Sequence, residues 1–440
     1  MHHPLPIIYF ILSHNPMHRR QSSKHQMRVP SEDLCPAEDG ALLSKHRSKT
    51  AAGNNRYRAN NAWFYAIFIA LAYLLINAHH HQDRSSSVLK SSSSGPNSDQ
   101  KQSTAIRPGS IFRDTNGDPI NAHGGGFLFH KNVYYWYGEI KSGKTYTPTA
   151  NINWGGSRID LVGISCYSSK DLVHWEFRGN VLPALTNDPT HDLYFKNVAE
   201  RPKVVYNSLT NKFVMWLHID SMDYKRARSG VAESDSPTGP FTYIQSFRPN
   251  DEMARDMTVF VDKKSTVAYL ITSSEDNAVM HVSELTSNYT SFTGKWKRIF
   301  EGRYMEAPTF FRRGELYYFI GSGCTAWKPN AARSAVASSI WGPWTELGNP
   351  CRGEDADTTF HSQSTYVLPI GSDGGGEERF LFAADRWNEK NLSDSRYVWL
   401  PIEFVVKDDD DDDGDVDDKV DGSESPIIHW QDEWDVNVWT

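Results

Sequence analysis

A pair of short aromatic strands around a polar turn recurs along this chain, and that repeat restricts the fold more than any other feature. It is written FLFHKNVYYWYGE from 127, VVYNSLTNKFVMWLHI from 204, VFVDKKSTVAYLITSS from 259, FFRRGELYYFIGSG from 310 and RFLFAADRW from 379. Aromatic and β-branched residues on both sides of short polar turns favour hairpins over helices. The first four units continue into ISCYSSKDLVHWEF, VAESDSPTGPF, VMHVSELTSNYTSF and AVASSIWGPW, strands that end in a Ser-rich turn and an aromatic residue; the fifth continues into YVWLPIEFV. Units of roughly 50 to 80 residues, repeated in this way, predict an all-β domain over 106–440 built as a five-bladed β-propeller. A two-sheet sandwich is the competing arrangement. The terminal segment PIIHWQDEWDV is expected to close the ring. The acidic stretch 407–422, centred on Asp408 to Asp413, reads as a solvated loop, because consecutive aspartates repel and lack the fixed geometry a calcium ion needs.

Upstream of the repeat the chain changes character. From Ala62 to Ile76 it reads AWFYAIFIALAYLLI without a charge, and Asn77 and Ala78 extend the stretch to about the 17 residues needed to cross a bilayer. Residues 1–61 and 79–105 are rich in Ser, His, Asn and Gln and cannot bury enough apolar surface to fold. The expected order is a cytosolic disordered tail (1–61), a single transmembrane helix (62–78), a disordered stem (79–105) and the propeller; a cleaved signal peptide is the rival reading. An excess of Lys and Arg ahead of the span keeps the N-terminus cytosolic and the propeller lumenal, and a short span suits the Golgi membrane. Asn288-Tyr-Thr and Asn391-Leu-Ser are then glycosylation acceptors. Cys324 and Cys351 either pair in an oxidising lumen or stand as free thiols.

Composition removes several classes of function. A net charge of −8 argues against a nucleic-acid partner. Four cysteines scattered through 440 residues form neither a disulfide framework nor a zinc site, and no metal or other cofactor is expected. His123-Gly-Gly-Gly resembles an oxyanion loop, but no Gly-x-Ser-x-Gly elbow accompanies it. Asp114-Thr-Asn116-Gly-Asp118 begins like a calcium loop, yet Gly125 stands where the twelfth-position Glu is required, so a turn is expected there.

The pocket at a propeller axis is lined by the innermost strand of each blade. Polar residues at the ends of the repeated strands are therefore the site candidates: Glu139, Glu200, Tyr224, Asp256, Glu306 and Gln363. Glu200, Asp256 and Glu306 precede the inner strands of successive units, a phase that brings them to one axial pocket. Their mutual repulsion there raises at least one pKa and supplies the protonated acid that glycosidic cleavage needs near neutral pH. Trp136, Trp154, Trp327 and Trp387 offer flat faces on which a sugar could stack.

The segments ERPKVVYN, RDMTVF, MEAPTFF and HSQSTY, with SSKDLVHW and SPTGPF, resemble glycoside hydrolase family 43, and in detail its exo-β-1,3-galactanase subfamily with its Golgi-anchored plant members. The resemblance covers about residues 106–440. It implies a five-bladed propeller and an inverting enzyme that releases galactose from the non-reducing ends of β-1,3-galactan, the backbone of arabinogalactan-protein glycans. By motif it implies Glu306 as general acid, Glu200 as the carboxylate holding the sugar at the cleavage site, Asp256 as a pocket carboxylate tuning that acid, and Glu139, Tyr224 and Thr325 as sugar-binding positions. The family's first-blade aspartate base is missing from NAHGGG. Gln363 is implied in its place, either as an imidic tautomer or as the group that orients the water while a nearby carboxylate takes the proton. An α-L-arabinofuranosidase or β-xylosidase on the same scaffold, and a non-catalytic glycan-binding propeller, are the alternatives.

Overall fold

A computed structural model of the chain describes residues 104–148, 156–371, 378–406 and 424–439. The stretch at 62–78 expected to cross a membrane, the tail and stem, Trp154 and the acidic run at 408–413 lie outside these residues. Among the described residues no helix is long and apolar enough to cross a membrane.

The strands form successive antiparallel sheets whose innermost members are His123–His130, Val198–Asn207, Met257–Val261, Met305–Arg313 and Gln363–Ile370. In the first four sheets the strands follow in chain order from the inside outward, ending at Glu176–Pro183, Thr242–Phe247, Phe292–Ile299 and Thr345–Gly348. Each innermost strand touches that of the next sheet, and the fifth touches the first, which closes a five-bladed ring.

A hydrophobic cluster fills each gap between neighbouring blades. Tyr137 and Cys166 meet Val204 and Met215 between blades 1 and 2, and Val214 and Trp216 meet Val259 and Leu270 between blades 2 and 3. Ile271 and Met280 meet Phe310 and Phe319, then Phe311 and Tyr318 meet Phe380 and Leu400. Between blades 5 and 1, Phe127, Trp136 and Trp175 pack on Leu381 and Trp399. A sandwich would have one core between two sheets; five cores in cyclic order require the propeller. Middle strands are thus buried on both faces, as in Lys212–Asp220, where only Lys212 reaches solvent. Outer strands face water, as in Phe292–Ile299 with its sequence FTGKWKRI.

The closing segment departs from expectation. PIIHWQDEWDV divides: Glu424–His429 is an outer strand of blade 5, while Trp434–Asp435 pairs antiparallel with Ala105–Ile106 at the start of the domain. This clasp is reinforced by Thr104 Oγ1 donating to Asp435 Oδ1 at 2.7 Å and by Arg107 against Glu433 at 2.7 Å. The fifth repeat also shifts inward by one strand. RFLFAADRW is the second strand of its blade, and the segment beginning at Gln363 is the first. The strand pair read within RFLFAADRW is thus a single strand, and its partner is QSTYVLPI.

Candidate active site

The same backbone device recurs where the inner strands reach the axis. Pairing of the first two strands shifts register between His123 and Gly126 in blade 1, Glu200 and Lys203 in blade 2, Glu306 and Thr309 in blade 4, and Ser364 and Tyr366 in blade 5. In the first three, the residue after the key side chain adopts a left-handed conformation: Gly124 (φ 58°), Arg201 (φ 53°) and Ala307 (φ 53°). Such bulges bend a strand and re-aim its side chains, here turning Glu200 and Glu306 toward the hub. Glycine is required at 124, since a Cβ there would stand 2.3 Å from Glu139 Oε1. The HGGG motif is therefore a packing device of blade 1.

These turns line a cavity of about 530 Å3 whose walls include Glu139, Glu200, Tyr224, Asp256, Glu306 and Gln363. Glu200 and Glu306 lie within the first residues of their strands, and Asp256 directly precedes its own. Thr325 does not belong to the lining; its hydroxyl donates to the Lys328 carbonyl and accepts from Asn330 Nδ2, tying the adjacent turn. Of the tryptophans, Trp327 and Trp387 line the cavity with their rings 5.1 Å apart, whereas Trp136 is buried between blades 1 and 5. Cys324 lies in the cavity wall and Cys351 is buried; both are free thiols. Asp114 accepts the backbone N–H groups of Asn116 and Asp118, the turn expected of that loop.

Arg201 joins the blades at the hub. Its Nε meets Asp256 Oδ2 at 2.8 Å, its Nη2 donates to Gln363 Oε1 at 2.7 Å, its Nη1 donates to the Ser364 carbonyl at 3.2 Å, and its backbone N–H donates to Glu139 Oε1 at 3.0 Å. Glu139 is also paired with Lys141 at 2.5 Å. Sequence reading missed Arg201, Lys141, His218 and Asn277. Arg201 could have been found from its place directly after Glu200; Lys141 and His218 lie at or just beyond the ends of second strands, where only the three-dimensional ring shows that they reach the axis.

The two principal carboxylates are pushed apart. Burial raises the Glu306 carboxyl, the neighbouring Asp256 charge raises it further, and Arg201 and Arg255 only partly offset this, so that it reaches about 7. Its Oε1 accepts from Asn277 Nδ2 at 2.7 Å. Burial acts on Glu200 in the same sense, but His218 and Lys141 overcome it and hold the carboxyl well below the usual range. Tyr224 donates to Glu200 Oε1 at 2.9 Å, and His218 Nδ1 stands 3.5 Å from Oε2. His218 is itself held between Glu200 and Asp220, whose Oδ2 is 2.9 Å from Nε2; burial disfavours the imidazolium, but these two acceptors lift it to about 9. One carboxyl of the cavity thus keeps its proton up to about pH 7 while another is ionised, and the first is in the state that a general acid for glycosidic cleavage needs.

Residues 130–362 match glycosyl hydrolases family 43. No curated protein matches the chain. Among solved structures it is similar to a family 43 β-1,3-galactosidase at 36% identity and TM-score 0.65, with 77% of this chain and 64% of that one covered, so the chain spans under two thirds of that neighbour's length. A second family 43 β-1,3-galactosidase, with galactodeoxynojirimycin, is 40% identical at TM-score 0.64, with 75% of this chain and 100% of that one covered. A variant of the exo-β-1,3-galactanase from Phanerochaete chrysosporium, with β-1,3-galactotriose, is 32% identical at TM-score 0.63, with 76% and 69% covered. With a propeller hub that separates a protonated glutamate from an ionised one, and with this extent of match, the chain belongs to glycosyl hydrolases family 43.

Proposed function

We propose that the chain is an inverting exo-glycoside hydrolase that releases galactose from the non-reducing ends of β-1,3-galactan. The observation that carries the reading is the pairing of Glu306, raised to about 7, with an ionised Glu200 in one cavity. The neighbours named β-1,3-galactosidase and exo-β-1,3-galactanase support galactose over pentose as the released sugar. In this reading Glu306 protonates the leaving oxygen. Glu200, Glu139 and Tyr224 hold hydroxyls of the terminal sugar, Asp256 keeps Glu306 protonated, and Trp327 and Trp387 receive the sugar faces. A water attacks from the opposite side, and Gln363 lies at the edge of that space. The test is incubation with β-1,3-galactobiose, an aryl α-L-arabinofuranoside and an aryl β-xyloside, with the first product followed by proton NMR. Galactose appearing first as its α-anomer is expected; pentose release, or binding without turnover, would overturn the reading.

Because the acid must carry its proton, kcat/KM is expected to fall as pH rises through about 7. Asp256→Asn removes the charge that helps raise Glu306, so its alkaline limb is expected at lower pH than that of the wild type. A limb that stays in place or moves upward would separate Asp256 from the acid.

The cellular setting belongs to the same proposal. The uncharged run from Ala62 to Ile76 and the basic residues before it support a Golgi membrane protein with a single span and a lumenal propeller acting on arabinogalactan-protein glycans. Protease protection of the propeller in sealed Golgi vesicles tests the orientation.

A further inference from the structure

We propose that Asp385 is the proton acceptor for the attacking water, reached through water held in a side pocket behind Gln363. The inference rests on the glycosidase reading above and says where the second proton of that reaction goes.

Gln363 is a locked amide. Its Oε1 receives Arg201 Nη2 at 2.7 Å and Trp387 Nε1 at 3.2 Å, and its Nε2 donates to Ser322 Oγ at 3.1 Å. Arginine and the indole nitrogen can only donate, so the oxygen must face them. An imidic form would place a hydroxyl against two obligate donors, and the amide is therefore held in its ordinary form. It can hold a water or a sugar hydroxyl through N–H but cannot take the proton. The cavity carboxylates other than the donor Glu306 each face a lysine or arginine: Glu139 and Glu200 face Lys141, and Asp256 faces Arg201, whereas the contacts of Asp385 are an imidazole and a backbone N–H.

Blade 1 supplies the remaining position. The residue preceding the left-handed bulge is Glu200 in blade 2 and Glu306 in blade 4; in blade 1 it is His123. His123 Nδ1 lies 2.9 Å from Asp385 Oδ1, and the Gly124 N–H donates to Asp385 Oδ2 at 2.6 Å. Blade 5 thus lends a carboxylate to the place in blade 1 where the other blades carry their own. Asp385 is the cross-strand partner of Gln363, and directly paired residues project from the same face of a sheet. Both line a side pocket of about 100 Å3 with Ser362, and this pocket shares Gln363, Trp327 and Trp387 with the main cavity. At about 30 Å3 each, roughly three waters fit, and the polar walls give them partners.

The step balances as follows. The water oxygen bonds to the anomeric carbon as the glycosidic C–O bond breaks, and the electron pair of that bond goes to the leaving oxygen, which takes the Glu306 proton. One proton of the attacking water passes through a pocket water to the Asp385 carboxylate. Release of that proton to solvent and reprotonation of Glu306 reset the site.

The test uses Asp385→Asn in the full chain, assayed on β-1,3-galactobiose with and without sodium azide. Asn keeps an oxygen for the Gly124 N–H. Turnover is expected to fall about 10^2- to 10^4-fold, the range for loss of a general base, with galactose affinity by calorimetry kept within about threefold. Azide attacks without surrendering a proton, so it is expected to restore turnover and give α-galactosyl azide. Near-normal turnover overturns the proposal. Loss of turnover together with galactose affinity, or with no azide product, also overturns it, by making Asp385 merely structural. Gln363→Ala is the second arm and stands even if Asp385→Asn does not fold: it is expected to lose turnover and to give no azide product, and α-galactosyl azide from Gln363→Ala would return the role of acceptor to Gln363. A wild type that releases no galactose would defeat the glycosidase reading itself, which these variants leave untouched.

Discussion

Glu306→Gln is expected to cut galactose release from β-1,3-galactobiose by at least about 10^2- to 10^4-fold, the range for removal of a general acid, while galactose still binds. Glutamine has the shape of the neutral acid and keeps an oxygen for Asn277 Nδ2, so the cavity is not disturbed. It has no transferable proton. The loss should shrink on an aryl galactoside whose leaving group departs without protonation, which separates a missing acid from a misplaced sugar. Equal losses on both substrates, or turnover within about tenfold of wild type on the galactobiose, would remove Glu306 from its role.

The same substitution should stabilise the fold at alkaline pH. A carboxyl whose pKa rises from 4.5 to about 7 on folding binds its proton more tightly in the native state. The penalty is therefore absent below the unfolded value, grows between the two, and is complete above about 7. A shift of this size corresponds to up to about 3 kcal/mol. Urea midpoints of Glu306→Gln and wild type should coincide near pH 4 and diverge by pH 8 in favour of the variant. Activity and stability thus pull in opposite directions at this residue, as they do where a site holds a destabilised group for use.

How far the sequence reveals this site follows from where its residues lie. Glu200, Asp256 and Glu306 share one phase of a repeat, and a repeat whose units fill a ring carries equivalent positions to the axis; their convergence could be read without coordinates. Blade count was legible because middle strands such as KFVMWLHI are buried on both faces and therefore continuously apolar. What was hidden arises between units. Trp136 has the composition of a sugar platform, and only the packing of blade 1 on blade 5 shows it to be core. The clasp of Trp434–Asp435 on Ala105–Ile106 joins segments more than 300 residues apart, and two-residue strands leave no periodic trace. Thr325 lies next to Cys324 and Ala326, which reach the cavity, but its hydroxyl is consumed by its own turn. Asp385 reads as one acidic residue in a second strand until the ring brings blade 5 against blade 1.

Arg201→Met is expected to be the most destabilising single change at the hub. It leaves the Asp256 carboxylate without its cation, the Ser364 carbonyl without a side-chain donor and Gln363 Oε1 with Trp387 alone. Breaking a buried ion pair by removing one partner costs about 3–5 kcal/mol, and Arg201 is 8% exposed with Asp256 at 16%. Lysine should rescue less than half of the loss, because one ammonium cannot span an aspartate in blade 3, an amide in blade 5 and a carbonyl beside it as a planar guanidinium does. The double variant Arg201→Met with Asp256→Asn should be more stable than Arg201→Met alone, since it removes the stranded charge, and a coupling of roughly 0.5–3 kcal/mol is expected from residues in direct contact. Urea unfolding at constant slope measures all three. A loss below about 1 kcal/mol for Arg201→Met would mean that solvent enters the hub and screens Asp256. The effect should be large because of how the ring is closed. Each of the first four blades is drawn from one continuous stretch of chain, so no sheet binds one blade to the next, and the blades are held by the apolar gaps between them, by the short terminal clasp and by polar contacts across the gaps such as Asp385 on Gly124 and Asn277 on Glu306, among which Arg201 reaches from blade 2 to both blade 3 and blade 5.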